Sequence, residues 1–180
     1  MLGSCGWNGW GEDNTDEELA FIKQSIVTAT AQTLVDSQFV LAVMMQESKG
    51  CVRVITTNNG VRNPGLMQSH NGVHTCNDEG SVLYPCPQEQ VLGMITDGTV
   101  GTDDSNDDGL NALINQAIAY NQAAGASAVT RDYAQVFYQA ARLYNSGSTS
   151  PNWANLNDAN GATATYVDDI VNRLLGWVDS

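Results

Sequence analysis

A short apolar run with one glutamate near its end constrains the fold of this chain more than any other feature. Seven consecutive apolar residues run from Phe39 to Met45, and Glu47 follows two positions later. A run of this length is too short to span a bilayer, and Asp36 or Ser37 can cap a helix that starts before it. The pattern predicts a mostly buried helix that ends near Ser48 and carries Glu47 in its last turn.

The position of Glu47 has a chemical consequence. Apolar surroundings penalise the charged form of a carboxyl group, and the negative end of a helix dipole penalises it further. The pKa of Glu47 is therefore expected to be raised. A carboxylic acid that stays neutral near pH 7 can donate a proton to a glycosidic oxygen, which is the general-acid half of sugar hydrolysis. The plain alternative is a glutamate at a helix end that faces water.

Length and charge bound the organisation and the partners. The chain has 180 residues, which fits one domain over residues 1–180 with a sizeable core. Seven Lys and Arg residues against 20 Asp and Glu residues give a formal charge of −13. Long-range repulsion at this charge disfavours nucleic acid, anionic membranes and anionic polymers as partners. A neutral substrate is the expected partner.

Four cysteines, at positions 5, 51, 76 and 86, allow three disulfide pairings. Cys76 and Cys86 bracket a loop that contains Gly and Pro, which favours their pairing and leaves Cys5 for Cys51. Four cysteines in an acidic, lysine-poor chain rich in Asn, Gly, Ser and Thr predict a secreted, extracellular protein.

Metal binding is the alternative use of these residues, and the spacing disfavours it. No CxxC pair is present that His70 and His74 could complete as metal ligands. The segment Asp104–Gly109 matches the first half of a calcium loop, but Asn115 occupies the twelfth position, where a bidentate Glu is required. A helix-capping loop is favoured there, and no metal or cofactor is expected.

Local signals predict an α+β domain that is mostly helical. Thr15 and Glu18 form a capping box at the start of the first helix, and the β-prone stretch Val52–Thr57 followed by Asn58–Gly60 predicts the only β-hairpin. The helices are expected from Thr15 to about Ala31, from Asp36 or Ser37 to Ser48, from Pro87 to Ile95, over Leu110–Ala123, from a Thr130 cap to Leu143, and over about Thr163–Trp177.

Four motifs between Phe39 and Gly147 carry a resemblance to a known family. In order they are Glu47-Ser48, Asn58-Asn59-Gly60, Gly65-Leu66-Met67-Gln68 and Tyr144-Asn145-Ser146-Gly147. Their order and spacing resemble those of goose-type lysozymes and lytic transglycosylases, although Leu143 stands where that family usually has Ala. The resemblance implies a lysozyme-like fold with a small hairpin beside the cleft. It also implies that Glu47 is the acid, that Gly65–Gln68 lines the cleft floor, and that Tyr144 is hydrogen-bonded near the Glu47 carboxyl.

The second catalytic group is less well defined by the sequence. Inverting glycosidases use a second carboxylate, about 6.5–9.5 Å from the acid, to deprotonate water. The position that matches by resemblance, twelve residues after Glu47 and six before Gly65, holds Asn59. An amide can orient a water molecule but cannot take its proton. Either the chain is a variant of an Asp enzyme, or the base lies elsewhere, or no protein base is needed, as in lytic transglycosylases.

A second resemblance bears on the substrate. In size, in its helix-end Glu47 and in the spacing to position 59, the chain is similar to the small secreted β-1,4-mannanases of glycoside hydrolase family 134. This implies an inverting endo-mannanase, acting as a monomer, with Glu47 and Asn59 at the acid and base positions. The charge of −13 also favours neutral mannan over anionic peptidoglycan. The residues expected to bind substrate are Asn58, Asn63, Gln68, His70, Tyr144 and Asn145.

Two rival functions stay open. One is a lysozyme, chitinase or lytic transglycosylase that acts on N-acetylated sugars. The other is an inactive carbohydrate-binding protein, which the amide of Asn59 favours. Trp7, Trp10 and Trp153 are candidate sugar-stacking platforms, and the alternative for each is an anchor between a loop and the core.

Overall fold

The computed structural model describes residues 3–102, 108–126, 130, 133–147 and 152–176. These residues form the expected α+β arrangement, in which about half of the chain is helical. The helices are α1 Ser4–Trp7, α2 Asp16–Thr33, α3 Ser37–Ser48, α4 Gln88–Thr99, α5 Leu110–Ala123, α6 Ala134–Ser146 and α7 Tyr166–Leu174. The strands are β1 Thr57–Asn58, β2 Arg62–Asn63, β3 Asn77–Asp78 and β4 Ser81–Val82.

Helix α3 is the predicted buried helix, and it lies at the centre of the core. Asp36 caps it by accepting hydrogen bonds from the backbone N–H groups of Gln38 at 2.7 Å and Phe39 at 3.2 Å. Its side chains pack against α2 and α7, and Phe39 meets Phe137 of α6 edge to face at 5.0 Å between ring centroids. None of the helices in the described ranges is long and apolar enough to cross a membrane.

The capping box at the start of α2 is confirmed, and its glutamate does more than cap the helix. Glu18 accepts from the Thr15 N–H at 2.7 Å, and its own N–H donates to the Thr15 hydroxyl at 3.1 Å. The same carboxylate accepts from the Arg53 guanidinium at 2.5 and 3.0 Å and from the Cys86 N–H at 2.6 Å. Arg53 also donates to the carbonyl oxygens of Glu12 and Asp13. One buried ion pair thus joins α2 to three separate loop segments.

Both expected disulfides are present, Cys5–Cys51 and Cys76–Cys86. The first ties the amino-terminal segment to the residues that follow α3, across a sequence separation of 46. The second closes a loop with a sequence separation of 10 around the second hairpin. A disulfide of this kind contributes roughly 2–4 kcal/mol to stability, mainly by restricting the unfolded chain.

The prediction of a single hairpin was wrong. Strands β1 and β2 pair antiparallel around a turn near the expected position, with Thr57 opposite Asn63. The strand begins only at Thr57, so the expected β stretch Val52–Thr57 is wrong for residues 52–56, which form turn and loop. Strands β3 and β4 form a second antiparallel hairpin, with Asn77 opposite Val82. Its turn residues Glu79 and Gly80 both have positive φ, 49° and 88°. A glutamate in this conformation is uncommon, so the turn carries no strong sequence signal.

Several helix boundaries also differ from the prediction. Helix α5 has the expected bounds, but α4 continues past Ile95 to Thr99, and α6 begins at Ala134 rather than after a Thr130 cap. Helix α7 covers Tyr166–Leu174, which is shorter than expected, and α1 was not predicted. The extension of α4 passes through Gly98, where an added Cβ would lie 2.4 Å from Met67 and 2.8 Å from the Tyr144 hydroxyl. Only glycine fits at this position, because Met67 and the Tyr144 hydroxyl approach the α4 backbone too closely for any side chain.

The Glu18 carboxylate is expected to make the fold acid-sensitive. Burial alone raises the pKa of Glu18, but the hydrogen bonds from Arg53, Cys86 and Thr15 together outweigh it, so the pKa lies below its usual value. A group with a depressed folded-state pKa stabilises the fold above its unfolded pKa, about 4.3, and loses that contribution as the pH falls through the folded-state pKa. Glu18→Gln should lower the free energy of unfolding at pH 7 by about 3–5 kcal/mol and flatten its dependence on acid pH.

Urea unfolding of the wild type and the variant between pH 2 and 7 measures both effects. Glu17→Gln, in the same helical turn but exposed, is the control and should change the stability little. Equal stability of Glu18→Gln and Glu17→Gln at pH 7 would contradict the prediction.

Candidate active site

The site is built around the carboxyl group of Glu47 in the last turn of α3. Its residue neighbours along the helix, Met44 and Ser48, are fully buried, whereas Glu47 itself is half-buried. The Tyr166 hydroxyl donates a hydrogen bond of 2.5 Å to Glu47 Oε1. The residue is thus only partly exposed, and its carboxyl group is largely removed from water.

The pKa of Glu47 is raised from its ordinary value to about 7. Burial of the carboxyl group is the largest cause, and the Tyr166 hydrogen bond and the positive charge of Lys49 partly oppose it. A carboxyl group with this pKa is about half protonated at pH 7, and it can donate a proton and recover it in the same pH range. This is the behaviour expected of a general acid in sugar hydrolysis.

Tyr166 is the functional residue that the sequence analysis missed. It is the first residue of α7, it is buried, and it lies 119 positions after Glu47. Burial, the charge of Glu47 and the hydrogen bond to it all raise the pKa of Tyr166, so the phenol stays protonated and acts as the donor. No motif or spacing marks this residue, because the contact forms only when α7 packs against α3.

Tyr144, which the sequence analysis placed near Glu47, belongs to α6 rather than to the helix that carries Tyr166. Its hydroxyl donates to the Met67 carbonyl oxygen at 2.8 Å. Burial raises its pKa, and the negative charges of Glu47, Asp97 and Asp108 raise it further. Three carboxyl groups thus act on this phenol, which gives the region an acidic character.

The segment Gly65–Gln68 packs under the site through its apolar residues. Leu66 and Met67 are fully buried. Gly65 has φ +71°, and an added Cβ would lie 2.5 Å from Met94 and 2.8 Å from a backbone oxygen, so only glycine fits.

Gln68 braces the first hairpin with its side-chain amide. Its carbonyl oxygen accepts from the Thr57 hydroxyl at 2.9 Å, and its NH₂ group donates to the Ile55 and Gly65 carbonyl oxygens at 3.1 Å. These contacts use both ends of the amide. Its predicted role in substrate binding stays a prediction.

The three predicted asparagines of the first hairpin shape the turn. Asn58 accepts from the Gly60 N–H at 3.1 Å, and Asn63 donates to the Val61 carbonyl oxygen at 3.0 Å. Asn59 lies exposed in the turn between the two strands. Its amide can hold water by hydrogen bonding but cannot deprotonate it.

His70 contacts the loop before α5. Its Nδ1 atom lies 2.5 Å from Oδ2 of Asp108, and both side chains are partly exposed. Asp108 belongs to the acidic run considered as a calcium loop, whereas residues 103–107 of that run, including Asp104 and Asn106, lie outside the described residues. Within the described ranges, no group of three or more His, Cys, Asp and Glu residues comes together that could hold a metal ion.

Asn145, the last predicted site residue, is held by the protein. Its side-chain oxygen accepts from the Arg142 guanidinium and, at 3.0 Å, from the Thr163 N–H. The structure thus places Tyr144 and Asn145 on α6 facing different partners.

The tryptophans occupy different environments. Trp7 is 90% exposed on α1. Trp10 lines a shallow groove of about 440 Å³ together with Ile55 and Val82. Trp153 stacks on Tyr120 at 4.6 Å between ring centroids, which anchors its loop to α5.

Comparison with known proteins finds no matching protein-family model, no matching curated protein and no matching solved structure. The resemblance to lysozyme-like glycosidases therefore stays a prediction.

Removing the Tyr166 hydroxyl is expected to raise the pKa of Glu47 above about 7. The hydrogen bond stabilises the ionised carboxylate, and bonds to charged groups contribute about 1.5–3 kcal/mol, which corresponds to about one pKa unit or more. ¹³C NMR titration of the glutamate carboxyl groups in Tyr166→Phe measures the shift, with the Glu47 resonance assigned by its absence in Glu47→Gln.

Tyr144→Phe is the matched control, because the Tyr144 hydroxyl donates to Met67 rather than to Glu47. It should move the pKa of Glu47 less than Tyr166→Phe does. A Tyr166→Phe variant with an unchanged Glu47 titration would contradict the assigned hydrogen bond.

Proposed function

We propose that this chain is a secreted, endo-acting glycoside hydrolase with a lysozyme-like fold and with Glu47 as its general acid. The observation that carries the proposal is the half-buried Glu47 carboxyl group, whose pKa is raised to about 7 and which Tyr166 holds by a hydrogen bond. A protonated carboxyl group that a ligand can reach is the group that glycosidic cleavage requires. The two disulfides are compatible with an extracellular location.

In the proposed mechanism, Glu47 donates its proton to the glycosidic oxygen while the bond to the anomeric carbon breaks. Tyr166 then stabilises the carboxylate that forms, because its hydroxyl continues to donate to Oε1. A water molecule attacks the anomeric carbon from the opposite face, which inverts its configuration, and it gives up its proton to a neighbouring solvent water molecule as the new C–O bond forms. In the families that the chain resembles, the base stands at the position that Asn59 occupies here. The Asn59 amide orients the attacking water but cannot deprotonate it. No cofactor takes part in these steps.

The proposed substrate is a neutral β-1,4-linked polysaccharide, with mannan as the first candidate. A formal charge of −13 and the three carboxylates around Tyr144 oppose the approach of anionic peptidoglycan. Exposed amide groups on the first hairpin and the partly exposed His70 ring are suited to hydrogen bonding with sugar hydroxyls. A lysozyme or chitinase activity is the alternative within this reaction class.

A carbohydrate-binding protein without catalysis is the second candidate function, and Asn59 is the observation that favours it. An amide at the base position leaves the acid without its usual partner. Under this alternative the cleft binds the sugar chain, and the raised pKa of Glu47 reflects only its burial.

Sugar release from mannan, chitin and peptidoglycan, assayed side by side, tests the proposal. The chain should release reducing ends from mannan, and Glu47→Gln should slow this by about 10²–10⁴-fold, because an amide cannot act as the acid. Glu17→Gln, exposed in α2, is the control and should retain the wild-type rate. Release from chitin or peptidoglycan alone would replace mannan with the alternative substrates.

The base position is tested by Asn59→Asp. If an inverting base belongs there, the rate on mannan oligosaccharides should rise by about 10²-fold or more, since a carboxylate can take the proton of the attacking water. Asn58→Asp adds the same charge one residue earlier and should give no such gain. ¹H NMR of the first product anomer reads the stereochemistry.

Three outcomes contradict parts of the proposal. An unchanged or slower Asn59→Asp variant would remove position 59 as the base site, and retention of configuration would exclude inversion. No sugar release from any of the three polymers by either the chain or Asn59→Asp would exclude the hydrolase and leave the binding function.

A further inference from the structure

We propose that Arg142 and Asn145 form a clamp on α6 that positions Tyr166, and that through Tyr166 this clamp holds the Glu47 carboxyl group. The catalytic consequence of the clamp rests on the proposed function, whereas its effect on Glu47 does not. The inference assigns a positioning role to Asn145, in place of the substrate-binding role expected from sequence.

The clamp closes on the backbone of one residue, Thr163. Arg142 donates to the Thr163 carbonyl oxygen from Nη1 and from Nη2, both at 3.1 Å. Asn145 accepts from the Thr163 N–H at 3.0 Å, and the Arg142 guanidinium donates to the same Asn145 oxygen. Both polar groups of the Thr163 backbone are therefore fixed to α6. A further bond of 3.0 Å from Arg142 to the Leu156 carbonyl oxygen holds the preceding loop.

The backbone of Thr163 is hydrogen-bonded to the backbone of Tyr166. The Tyr166 N–H donates to the Thr163 carbonyl oxygen at 3.2 Å. The same oxygen accepts the two hydrogen bonds from Arg142. The N-cap residue of α7, Thr165, makes no side-chain capping bond. The clamp therefore fixes the start of α7 where no side-chain cap does, and it adds to the packing of α7 on α3 and α6.

Burial adds to the rigidity of this arrangement. Arg142 is fully buried, and a buried cation is costly unless its hydrogen bonds are made in fixed geometry. The residues that it holds, Leu156 and Thr163, belong to a segment without helix or strand. A rigid side chain on a packed helix thus fixes a loop that has little regular structure of its own.

The groups that face Glu47 come from three elements. Tyr166 approaches from α7, Tyr144 from α6, and Lys49 lies at the end of α3. The positive charge of Arg142 also acts on Tyr166, where it lowers the pKa of the phenol and so opposes the effect of Glu47. Among these, the Tyr166 hydroxyl is the direct hydrogen-bond donor to the carboxyl group.

Two further carboxylates act on one of these groups, Tyr144. Asp97 and Asp108 face Tyr144 and contribute to the raised pKa of that phenol. Asp97 is hydrogen-bonded to Val73 and His74, and Asp108 lies against His70, so a change at Asn145 is expected to act on Glu47 through Tyr166.

The hydrogen bonds of Asn145 argue against a direct role in binding substrate. Its carbonyl oxygen has two acceptor sites, and Arg142 and Thr163 use both. Replacing Asn145 with Ala removes the acceptor for both donors, whereas Asp keeps an acceptor oxygen and adds a charge that Arg142 balances. The two substitutions therefore separate positioning from substrate recognition.

The test compares Asn145→Ala, Asn145→Asp and Tyr166→Phe. Asn145→Ala should raise the pKa of Glu47 toward its value in Tyr166→Phe, as read by ¹³C NMR, and the double variant Asn145→Ala/Tyr166→Phe should add nothing further. On mannan oligosaccharides kcat should fall about 10- to 100-fold with little change in KM, because the acid is misplaced. Asn145→Asp should recover most of the lost kcat.

Asn152→Ala is the matched control. Asn152 accepts from two backbone N–H groups in the same loop but makes no contact with Thr163, so its loss should leave the Glu47 titration in place. An Asn145→Ala variant that raises KM while the pKa of Glu47 stays unchanged would overturn the clamp in favour of substrate binding.

The outcomes for the clamp and for the hydrolase remain separate. If no polymer is cleaved, the hydrolase fails, but the NMR titrations still decide the clamp. If Asn145→Ala does not fold, Asn145→Leu, which is similar in size and has no acceptor oxygen, takes its place in the same titration, and an unchanged Glu47 pKa in that folded variant would overturn the inference.

Discussion

Enclosure of α3 is the constraint on which the rest of the structure depends. Most of its apolar run from Phe39 to Met45 is buried, with Leu41 as the exposed member, and α2, α6 and α7 cover the buried side chains. The same enclosure surrounds the end of the helix, where it removes water from Glu47 and raises the pKa of that residue. Stability and the acidity of the site therefore have one physical origin. A change that loosened the packing of α7 on α3 would affect both, since Tyr166 lies in that contact.

The long segment between α3 and α4 depends on a different set of interactions. Its two hairpins have strands of only two residues each, and isolated hairpins of this size are unstable in water. The buried pair of Glu18 and Arg53 holds the segment against α2. One disulfide ties the segment to the amino-terminal residues, and the other closes the loop around the second hairpin. Because the first hairpin carries Asn59, these interactions also fix where position 59 lies relative to the helices. The capping residue of a helix thus contributes to the geometry of the candidate site.

Sequence patterns predicted the features that local chemistry determines. The capping box of Thr15 and Glu18, the Asp36 cap and the helix-end position of Glu47 depend on residues a few positions apart, and all three are found. The second hairpin was missed because Glu79 adopts a conformation that is typical of Asn or Gly. Tyr166 and the fixed Thr163 backbone could not be predicted, because they meet Glu47 and α6 only through tertiary packing. The resemblance to lysozyme-like enzymes likewise supplied an expected tyrosine, Tyr144, while the donor to the carboxyl group came from another helix.

The raised pKa of Glu47 results from opposing effects, and their balance matters for the proposed chemistry. Burial alone would make the carboxyl group a weaker acid, and a much weaker acid transfers its proton less readily to a glycosidic oxygen. The Tyr166 hydrogen bond and the Lys49 charge offset part of the burial and bring the pKa to about 7. The site therefore needs both the apolar helix that desolvates Glu47 and the phenol that partly restores its acidity. Since the proposed clamp on Tyr166 is built from residues of α6 and of the segment before α7, the carboxyl-terminal third of the chain would contribute to the proposed acid chemistry although it does not include Glu47.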